Sequence, residues 1–141
     1  MNIVKQNTDY ALRAMIYLAG EYGQNAVSVR VLSETGDISY QFACKIFQQL
    51  QGAKLVKSTM GPKGGYSLAK APSQISLLEV LSAMQGMPCV NSCILGTKGC
   101  QRKPKCAASM KMQELQNYME KFLAGVTLDE FLESRSKKKG K

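Results

Sequence analysis

Residues 28–52 constrain the fold of this chain more than any other stretch. They read SVRVLSETGDISYQFACKIFQQLQG, in which Ser28 and Ser39 each stand where a serine can cap a helix. Gly36 follows the first of these helices and ends it. Apolar residues recur at helical spacing in the second helix: Phe42, Ile46, Phe47 and Leu50. Two short helices joined by a tight, glycine-containing turn predict a helix-turn-helix.

The second of these helices is predicted to turn a polar and basic face outward. That face carries Tyr40, Gln41, Cys44, Lys45 and Gln48. Its hydrogen-bonding groups suit the edges of bases in the major groove of DNA. The same pattern fits an ordinary helical hairpin with a solvated face, so the two helices alone leave both interpretations open.

A predicted β-hairpin directly follows the helix-turn-helix. The segments KLVKST and YSLA are short strand candidates, and the turn MGPKGG separates them. Lysines decorate this hairpin at four positions: Lys54, Lys57, Lys63 and Lys70. Residues 30–70 contain six basic and two acidic residues, which places positive charge where a wing meets phosphates or a minor groove. A helix-turn-helix followed by such a hairpin predicts a winged helix.

Three further helices are predicted around this unit, followed by a short final helix that starts at Thr127 with Glu130. The first covers residues 7–23, with Asn7 or Thr8 as its cap and Tyr22 on its apolar face. Another is SLLEVLSAMQG, where a capping box and a final glycine mark the two ends. The last is AASMKMQELQNYMEKFLAG, which is long for so small a protein and therefore suggests a subunit interface. Its apolar seam is Leu115, Met119 and Phe122.

Charge and composition narrow the classes of function. The net charge is +9, but five basic residues lie in the tail RSKKKGK, and the remaining 14 basic and 10 acidic residues leave +4. There is no histidine and no nucleophile motif, so we predict that the chain is not an enzyme and has no small-molecule substrate. No signal peptide and no run of about 18 apolar residues is evident, which predicts a cytoplasmic protein without membrane contact.

The segment CVNSCILGTKGCQRKPKC, residues 89–106, holds four of the five cysteines. Nothing in the sequence indicates an oxidising compartment, which argues against disulfides. Zinc sites usually contain closely spaced cysteine pairs, and only Cys89 with Cys93 fits, because Cys100 and Cys106 are further apart. Wide spacing on a glycine-containing loop suits a larger object such as an iron–sulfur cluster. Zinc and redox-active thiols are the alternatives.

Four basic residues lie within the same segment: Lys98, Arg102, Lys103 and Lys105. Thiolates and sulfides bring negative charge into a loop, and adjacent cations offset it. A solvated lysine-rich loop is the other interpretation of this pattern.

The chain resembles the Rrf-two family of bacterial winged-helix transcription regulators, which includes iron–sulfur sensors. The resemblance covers residues 3–130. It is carried, in order, by TDYALRAMIYLA, ISYQFACKIFQQLQGAKLVKSTMGPKGGYSLAKAP, ISLLEVLSAMQG and a cysteine loop before a long helix. The fold expected is mainly α with a small β-hairpin wing: a winged helix-turn-helix plus a long dimerisation helix.

The resemblance implies a homodimeric DNA-binding regulator whose operator affinity is controlled by an iron–sulfur cluster. The family's three-cysteine pattern corresponds to Cys93, Cys100 and Cys106, with a fourth ligand from Asp9 of the partner subunit, from Cys89, or from water or a small ligand. Some members use a histidine where this chain has Ser109, and its absence favours a 4Fe–4S over a 2Fe–2S cluster. A cluster-free regulator controlled by a cysteine thiol switch or a protein partner is the alternative.

The resemblance also assigns the contacts to double-stranded DNA with a palindromic operator. Its base-reading positions correspond to Gln41 and Lys45. Further contacts are expected from Ser39 and Tyr40 beside them and from Lys63 in the wing. The family commonly has an arginine before the first glycine of the wing turn, whereas this chain has Met60. Minor-groove contact therefore falls to Lys63 or is absent.

Four regions are expected along the chain. Residues 1–86 form the DNA-binding region, 87–106 the cysteine loop, 107–134 the dimerisation helix with a short final helix, and 135–141 a basic disordered tail.

Overall fold

The computed structural model describes residues 4–90 and 106–132. Three predictions lie outside the described residues. They concern the ligands Cys93 and Cys100, the tail from residue 135, and the basic residues of the cysteine segment: Lys98, Arg102, Lys103 and Lys105. The described elements are α1 (Gln6–Gly20), α2 (Val29–Gly36), α3 (Tyr40–Gly52), β1 (Val56–Thr59), β2 (Gly65–Leu68), a 3₁₀ turn (Pro72–Gln74), α4 (Leu77–Gln85) and α5 (Ala107–Gly125). A further helical stretch begins at Leu128. This mainly helical architecture with one hairpin confirms the predicted fold class.

Serine caps and one left-handed residue build the helix-turn-helix. The hydroxyl oxygen of Ser28 accepts a hydrogen bond from the Val31 N–H at 3.3 Å, and that of Ser39 accepts from the Phe42 N–H at 3.1 Å. Asp37, at φ 53°, takes the left-handed conformation that reverses the chain after α2. The Ile38 N–H then donates to the Ser33 carbonyl at 3.0 Å. The turn is therefore closed by backbone bonds, and Gly36 is the last residue of α2.

The beginning and end of α1 differ from the prediction. The helix begins at Gln6 with Lys5 as its cap, because the Lys5 N–H is held by the side-chain oxygen of Gln85 on α4 at 3.0 Å. Thr8 lies inside the helix and is fully buried, so neither it nor Asn7 caps it. The helix ends at Gly20, and Tyr22 lies beyond it with 49% of its surface exposed. The apolar face of α1 is therefore shorter than predicted.

One hydrophobic core joins the helices and the hairpin. Ala11, Met15 and Leu18 of α1 are almost completely buried. They belong to a single buried cluster with side chains from α3, both strands, α4 and the segment after α5: Phe47, Leu50, Val56, Leu68, Val80 and Leu128. Because α1 lies at the centre of this cluster, it is the scaffold on which the helix-turn-helix and the hairpin are positioned.

The hairpin is antiparallel, with Val56 paired to Leu68 and Thr59 paired to Gly65. Two glycines are required at its return. A β-carbon on Gly64 would lie 2.2 Å from the Thr59 carbonyl oxygen, and one on Gly65 would lie 2.1 Å from the carbonyl oxygen of Val27. Val27 itself exchanges two backbone hydrogen bonds with Tyr66, at 2.8 and 2.9 Å. The residue before the Ser28 cap of α2 is thus bonded to the wing.

The end of α5 is attached to the start of α4. Ser76 and Glu79 form the predicted capping box of α4. Just before it, the Leu128 N–H donates to the Ile75 carbonyl at 3.1 Å, and the Leu77 N–H donates to the Val126 carbonyl at 2.8 Å. The helical stretch after α5 begins as predicted, with the Glu130 carboxylate accepting from the Thr127 N–H at 2.7 Å. This short ladder fixes the long helix to the winged-helix unit.

Candidate nucleic-acid interface and cysteine segment

The recognition helix α3 has one buried and one exposed face. Ala43, Ile46, Phe47 and Leu50 are buried, whereas Tyr40, Gln41 and Lys45 are exposed, as predicted for a helix that reads a groove. Ser39 is exposed at the amino-terminal end. Because its oxygen already accepts the Phe42 N–H, the hydroxyl proton of Ser39 is left for an acceptor such as a phosphate.

The wing is joined rigidly to the recognition helix. The rings of Phe47 and Tyr66 stack with their centres 4.8 Å apart and their planes at 23°. One turn beyond Phe47, the side-chain amide of Gln51 donates to the hydroxyl of Ser58 on β1 at 3.2 Å. A displacement of α3 would therefore carry the wing with it, so the two elements can contact DNA as one body.

The tip of the wing presents one apolar and one basic side chain to solvent. Met60 is 93% exposed, and Lys63 is exposed three residues later. The loop between them is closed by the Gly64 N–H, which donates to the Gly61 carbonyl at 2.9 Å. Gly61 has a positive φ angle of 105° in this turn, which glycine adopts without strain. Lys63 is therefore accessible at the tip of the wing.

Asp9 lies in the first turn of α1 and is about half exposed. Its carboxylate forms an ion pair with Arg13 one turn later, at 3.1 Å, with 45% of the Asp9 side-chain surface exposed. An exposed pair of this kind contributes only about 0–1 kcal/mol. Arg13 therefore does not prevent the Asp9 carboxylate from binding another positive group.

The described cysteines have unpaired thiols. Cys44 on α3, Cys89 after α4 and Cys106 before α5 are all free and half-buried. In residues 4–90 and 106–132, no three His, Cys, Asp or Glu side chains converge as a metal site would require. The described part of the chain thus does not bring Asp9, Cys89 and Cys106 together. The thiols that it does offer are of the kind that binds an iron–sulfur cluster.

Gln116 is a residue that the sequence analysis missed. It is only 1% exposed, although it is polar and lies in the middle of α5. Its side-chain nitrogen donates to the Pro88 carbonyl at 2.7 Å, and its side-chain oxygen accepts from the Val90 N–H at 3.0 Å. These two bonds are made to the residues on either side of Cys89. The available signal was the seven-residue spacing of Ser109, Gln116 and Leu123, the three buried residues of α5.

The predicted apolar seam of α5 lies away from the face that this chain buries. Leu115 is 48% exposed, Phe122 is 58% exposed, and Met119 is half-buried. Tyr118, which the sequence analysis did not select, is exposed on the same side. We call Leu115, Tyr118, Met119 and Phe122 the α5 stripe. Their spacing places them on one side of the helix. In the described part of the chain, three of the four are left exposed on that side.

A comparison with models of known protein families shows which family this chain belongs to. A family model described as "Rrf2: Iron-dependent Transcriptional regulator" matches residues 4–134. The chain belongs to the Rrf2 family. This confirms the resemblance to the Rrf-two family that its motifs indicate, and it identifies the chain as a DNA-binding transcriptional regulator rather than an enzyme.

Curated Rrf2-family relatives match over most of their length. The HTH-type transcriptional regulator IscR of Aliivibrio salmonicida is 32% identical over 123 residues, which are 87% of this chain and 73% of that protein. IscR of Escherichia coli O1:K1 is 32% identical over 126 residues, or 89% of this chain and 77% of the relative.

Solved structures share the fold. IscR of T. potens superimposes with a TM-score of 0.76 at 24% identity, covering 94% of this chain and 87% of that one. CymR of B. subtilis, named as the global cysteine regulator, gives a TM-score of 0.77 at 22% identity, covering 93% of this chain and 96% of that one.

Among the residues that the structure describes, no helix is both long and apolar enough to cross a membrane.

Proposed function

We propose that this Rrf2-family protein is a homodimeric regulator whose operator affinity is controlled by an iron–sulfur cluster held by the cysteine segment, residues 87–106. The observation that carries the proposal is the position of that segment. It ends at the free thiol of Cys106, directly before α5, and α5 ends in the backbone ladder to Ile75 and Leu77 of the winged-helix unit. A change in the segment can therefore reach the DNA-binding elements.

Cys93, Cys100 and Cys106 would supply three thiolate ligands. The fourth would come from Asp9 of the partner subunit, from Cys89, or from a small ligand. Asp9 is supported by its exposure, since only a surface carboxylate can reach a site on another chain. The cluster would give the protein a state that depends on iron supply and oxidation. The missing histidine at Ser109 favours 4Fe–4S over 2Fe–2S.

Base reading in the major groove would come from Gln41 and Lys45, with Tyr40 beside them. Ser39 at the helix end would bind a phosphate, and Lys63 would bind the backbone or minor groove beyond it. Two such units related by a two-fold axis read a palindrome whose half-sites are separated by about 34 Å or a multiple of it. Such a protein would act in the bacterial cytoplasm, where its operator lies.

The dimer would form through the α5 stripe. Three large apolar side chains of the stripe, Leu115, Tyr118 and Phe122, are exposed in the single chain and Met119 is half-buried, and a second copy of α5 would bury them. A symmetric interface brings the same face of both subunits together, so the stripe needs no other partner.

Iron content and the visible spectrum of protein purified without oxygen test the cluster directly. We expect brown protein with charge-transfer bands, and we expect Cys100→Ala or Cys106→Ala to abolish them. Cys44→Ala is the matched control, because Cys44 is an equally free thiol on a different element. Full iron and sulfide in Cys100→Ala would contradict the assignment.

The same spectra separate the remaining interpretations. A changed band position in Asp9→Asn assigns the fourth ligand to Asp9, and a change in Cys89→Ala assigns it to Cys89. Colourless wild-type protein whose DNA binding responds to thiol oxidation would instead support a cluster-free thiol switch, which the unpaired thiols would also permit.

A further inference from the structure

We propose that Gln116 is the residue that couples the cysteine segment to the dimerisation helix α5. The inference rests on the proposed function, because that function gives the segment a changing state to transmit. It concerns a contact within one chain, made entirely by described residues: Pro88, Cys89, Val90, Gln116 and Glu120.

The amide of Gln116 forms three hydrogen bonds, through both of its N–H groups and its oxygen. One N–H donates to the Pro88 carbonyl at 2.7 Å and the other to the Glu120 carboxylate at 2.8 Å. The amide oxygen accepts the Val90 N–H at 3.0 Å. A buried amide with every N–H bonded is held in one orientation, because any rotation would leave a polar group without a partner.

These bonds join positions that are far apart in the chain. Gln116 is 28 residues from Pro88 and 26 residues from Val90, and it bonds the backbone on both sides of Cys89. Any shift of the Cys89 backbone must therefore move Gln116 or break a buried bond. We call this arrangement the Gln116 clamp.

The clamp lies beside the α5 stripe, on the same turns of the helix. Leu115 precedes Gln116 in the sequence, and Met119 precedes Glu120. Gln116 is on the buried face of α5, whereas Leu115 is exposed, so rotation of the helix about its axis moves both together. A displacement at Cys89 would in this way reach the dimer interface. Gln116 is a positioning residue here, since it touches neither metal nor DNA.

Full-length Gln116→Met tests the clamp, because methionine fills similar volume and removes all three hydrogen bonds. The control is Gln113→Met, which removes an exposed amide of the same helix whose bond to Asn117 is local. In metal-free protein, the rate of Cys89 alkylation by N-ethylmaleimide is measured by peptide mass spectrometry relative to Cys44. We expect Gln116→Met to raise it about tenfold, as the loss of a buried bond opens the segment, and Gln113→Met to leave it unchanged.

A second measurement tests whether a change in the cysteine segment reaches α5, rather than whether Gln116 holds the segment in place. Protein is reconstituted without oxygen using ferrous iron and sulfide, and amide hydrogen exchange is followed over residues 107–125. We expect loading to alter exchange in wild type and Gln113→Met, but to leave α5 unaltered in Gln116→Met at equal iron content. Glu120→Met, which removes only the orienting acceptor on a half-buried side chain, is expected to give an intermediate response and serves if Gln116→Met does not fold.

Either of two results overturns the inference: equal Cys89 reactivity in Gln116→Met and Gln113→Met, or an α5 response to loading that Gln116→Met retains in full. Wild-type protein that binds no iron would instead defeat the proposed function. In that case the alkylation measurement, which needs no metal, still decides whether the clamp exists.

Discussion

The winged-helix unit and the long helix α5 differ in how far their side chains are buried or hydrogen-bonded within a single chain. In the winged-helix unit, Ser28, Ser39 and Ser76 cap their helices, and the core residues from Ala11 to Val80 are buried within the chain. In α5, only Ser109, Gln116 and Leu123 are buried, and the α5 stripe is largely exposed. The apolar groups of the first region are buried within one chain, whereas the second leaves much of its apolar stripe exposed.

The same difference separates what each region can do. A complete, rigid unit holds Gln41 and Lys63 at a fixed separation, because the Phe47–Tyr66 stack joins the recognition helix to the wing. An incomplete helix can change its contacts with a partner at small cost. We propose on this basis that the first region binds DNA and that the second controls the binding.

The largest expected effect is on assembly. Met119→Glu places an uncompensated carboxylate within the α5 stripe, which should raise the dimer dissociation constant by roughly a hundredfold or more. Sedimentation should then show a monomer, and palindrome binding should be lost. Met110→Glu is the matched control, because Met110 is an exposed methionine of α5 that lies off the stripe. If both variants remain dimeric, the contrast between the two regions is wrong.

A smaller effect is expected at the recognition helix. Gln41→Ala should weaken binding to the palindrome by about 1–3 kcal/mol and should change binding to random duplex little. Gln49→Ala, an exposed glutamine near the end of the same helix, should change neither. Fluorescence anisotropy on both duplexes measures the difference. Equal losses on the two duplexes for Gln41→Ala would show that the residue does not read bases.

The smallest effect is expected at the wing. Lys63→Ala should weaken binding to both duplexes alike and reduce the slope of log affinity against log salt by about one. Lys121→Ala removes an exposed lysine from α5, away from the proposed interface, and should leave the slope unaltered. A loss confined to the palindrome would mean that Lys63 reads sequence rather than phosphate.

Much of the winged-helix unit could be predicted because its signals are local. A serine cap depends on the three residues that follow it, and Ser28, Ser39 and Ser76 were all identified correctly. The hairpin was marked by its glycines, two of which are required by close backbone contacts. At the start of α1 the predicted caps were wrong: the cap is Lys5, whose N–H donates to the side chain of Gln85, 80 residues away.

The turn after α2 and the Gln116 clamp show two other limits. The sequence predicts that Gly36 ends α2, and the helix does end there, but the left-handed residue is Asp37, because aspartate tolerates that conformation and a backbone bond to Ser33 closes the turn. Gln116 gave only a weak signal, since its partners lie 26 and 28 residues away on the other side of the cysteine segment. The identities of the candidate ligands and of the base-reading residues came from family resemblance, not from local chemistry.

The affinity of one wild-type preparation for its palindrome, measured with the cluster loaded and again after the metal is removed, tests the central claim most directly. The palindrome is the one recovered by selection from random duplexes. We predict that the two dissociation constants differ by about 5- to 150-fold, the range of a coupling free energy of 1–3 kcal/mol, while the protein sediments as a dimer in both states. Equal affinities of the loaded and metal-free dimers would contradict control of DNA binding by the cysteine segment.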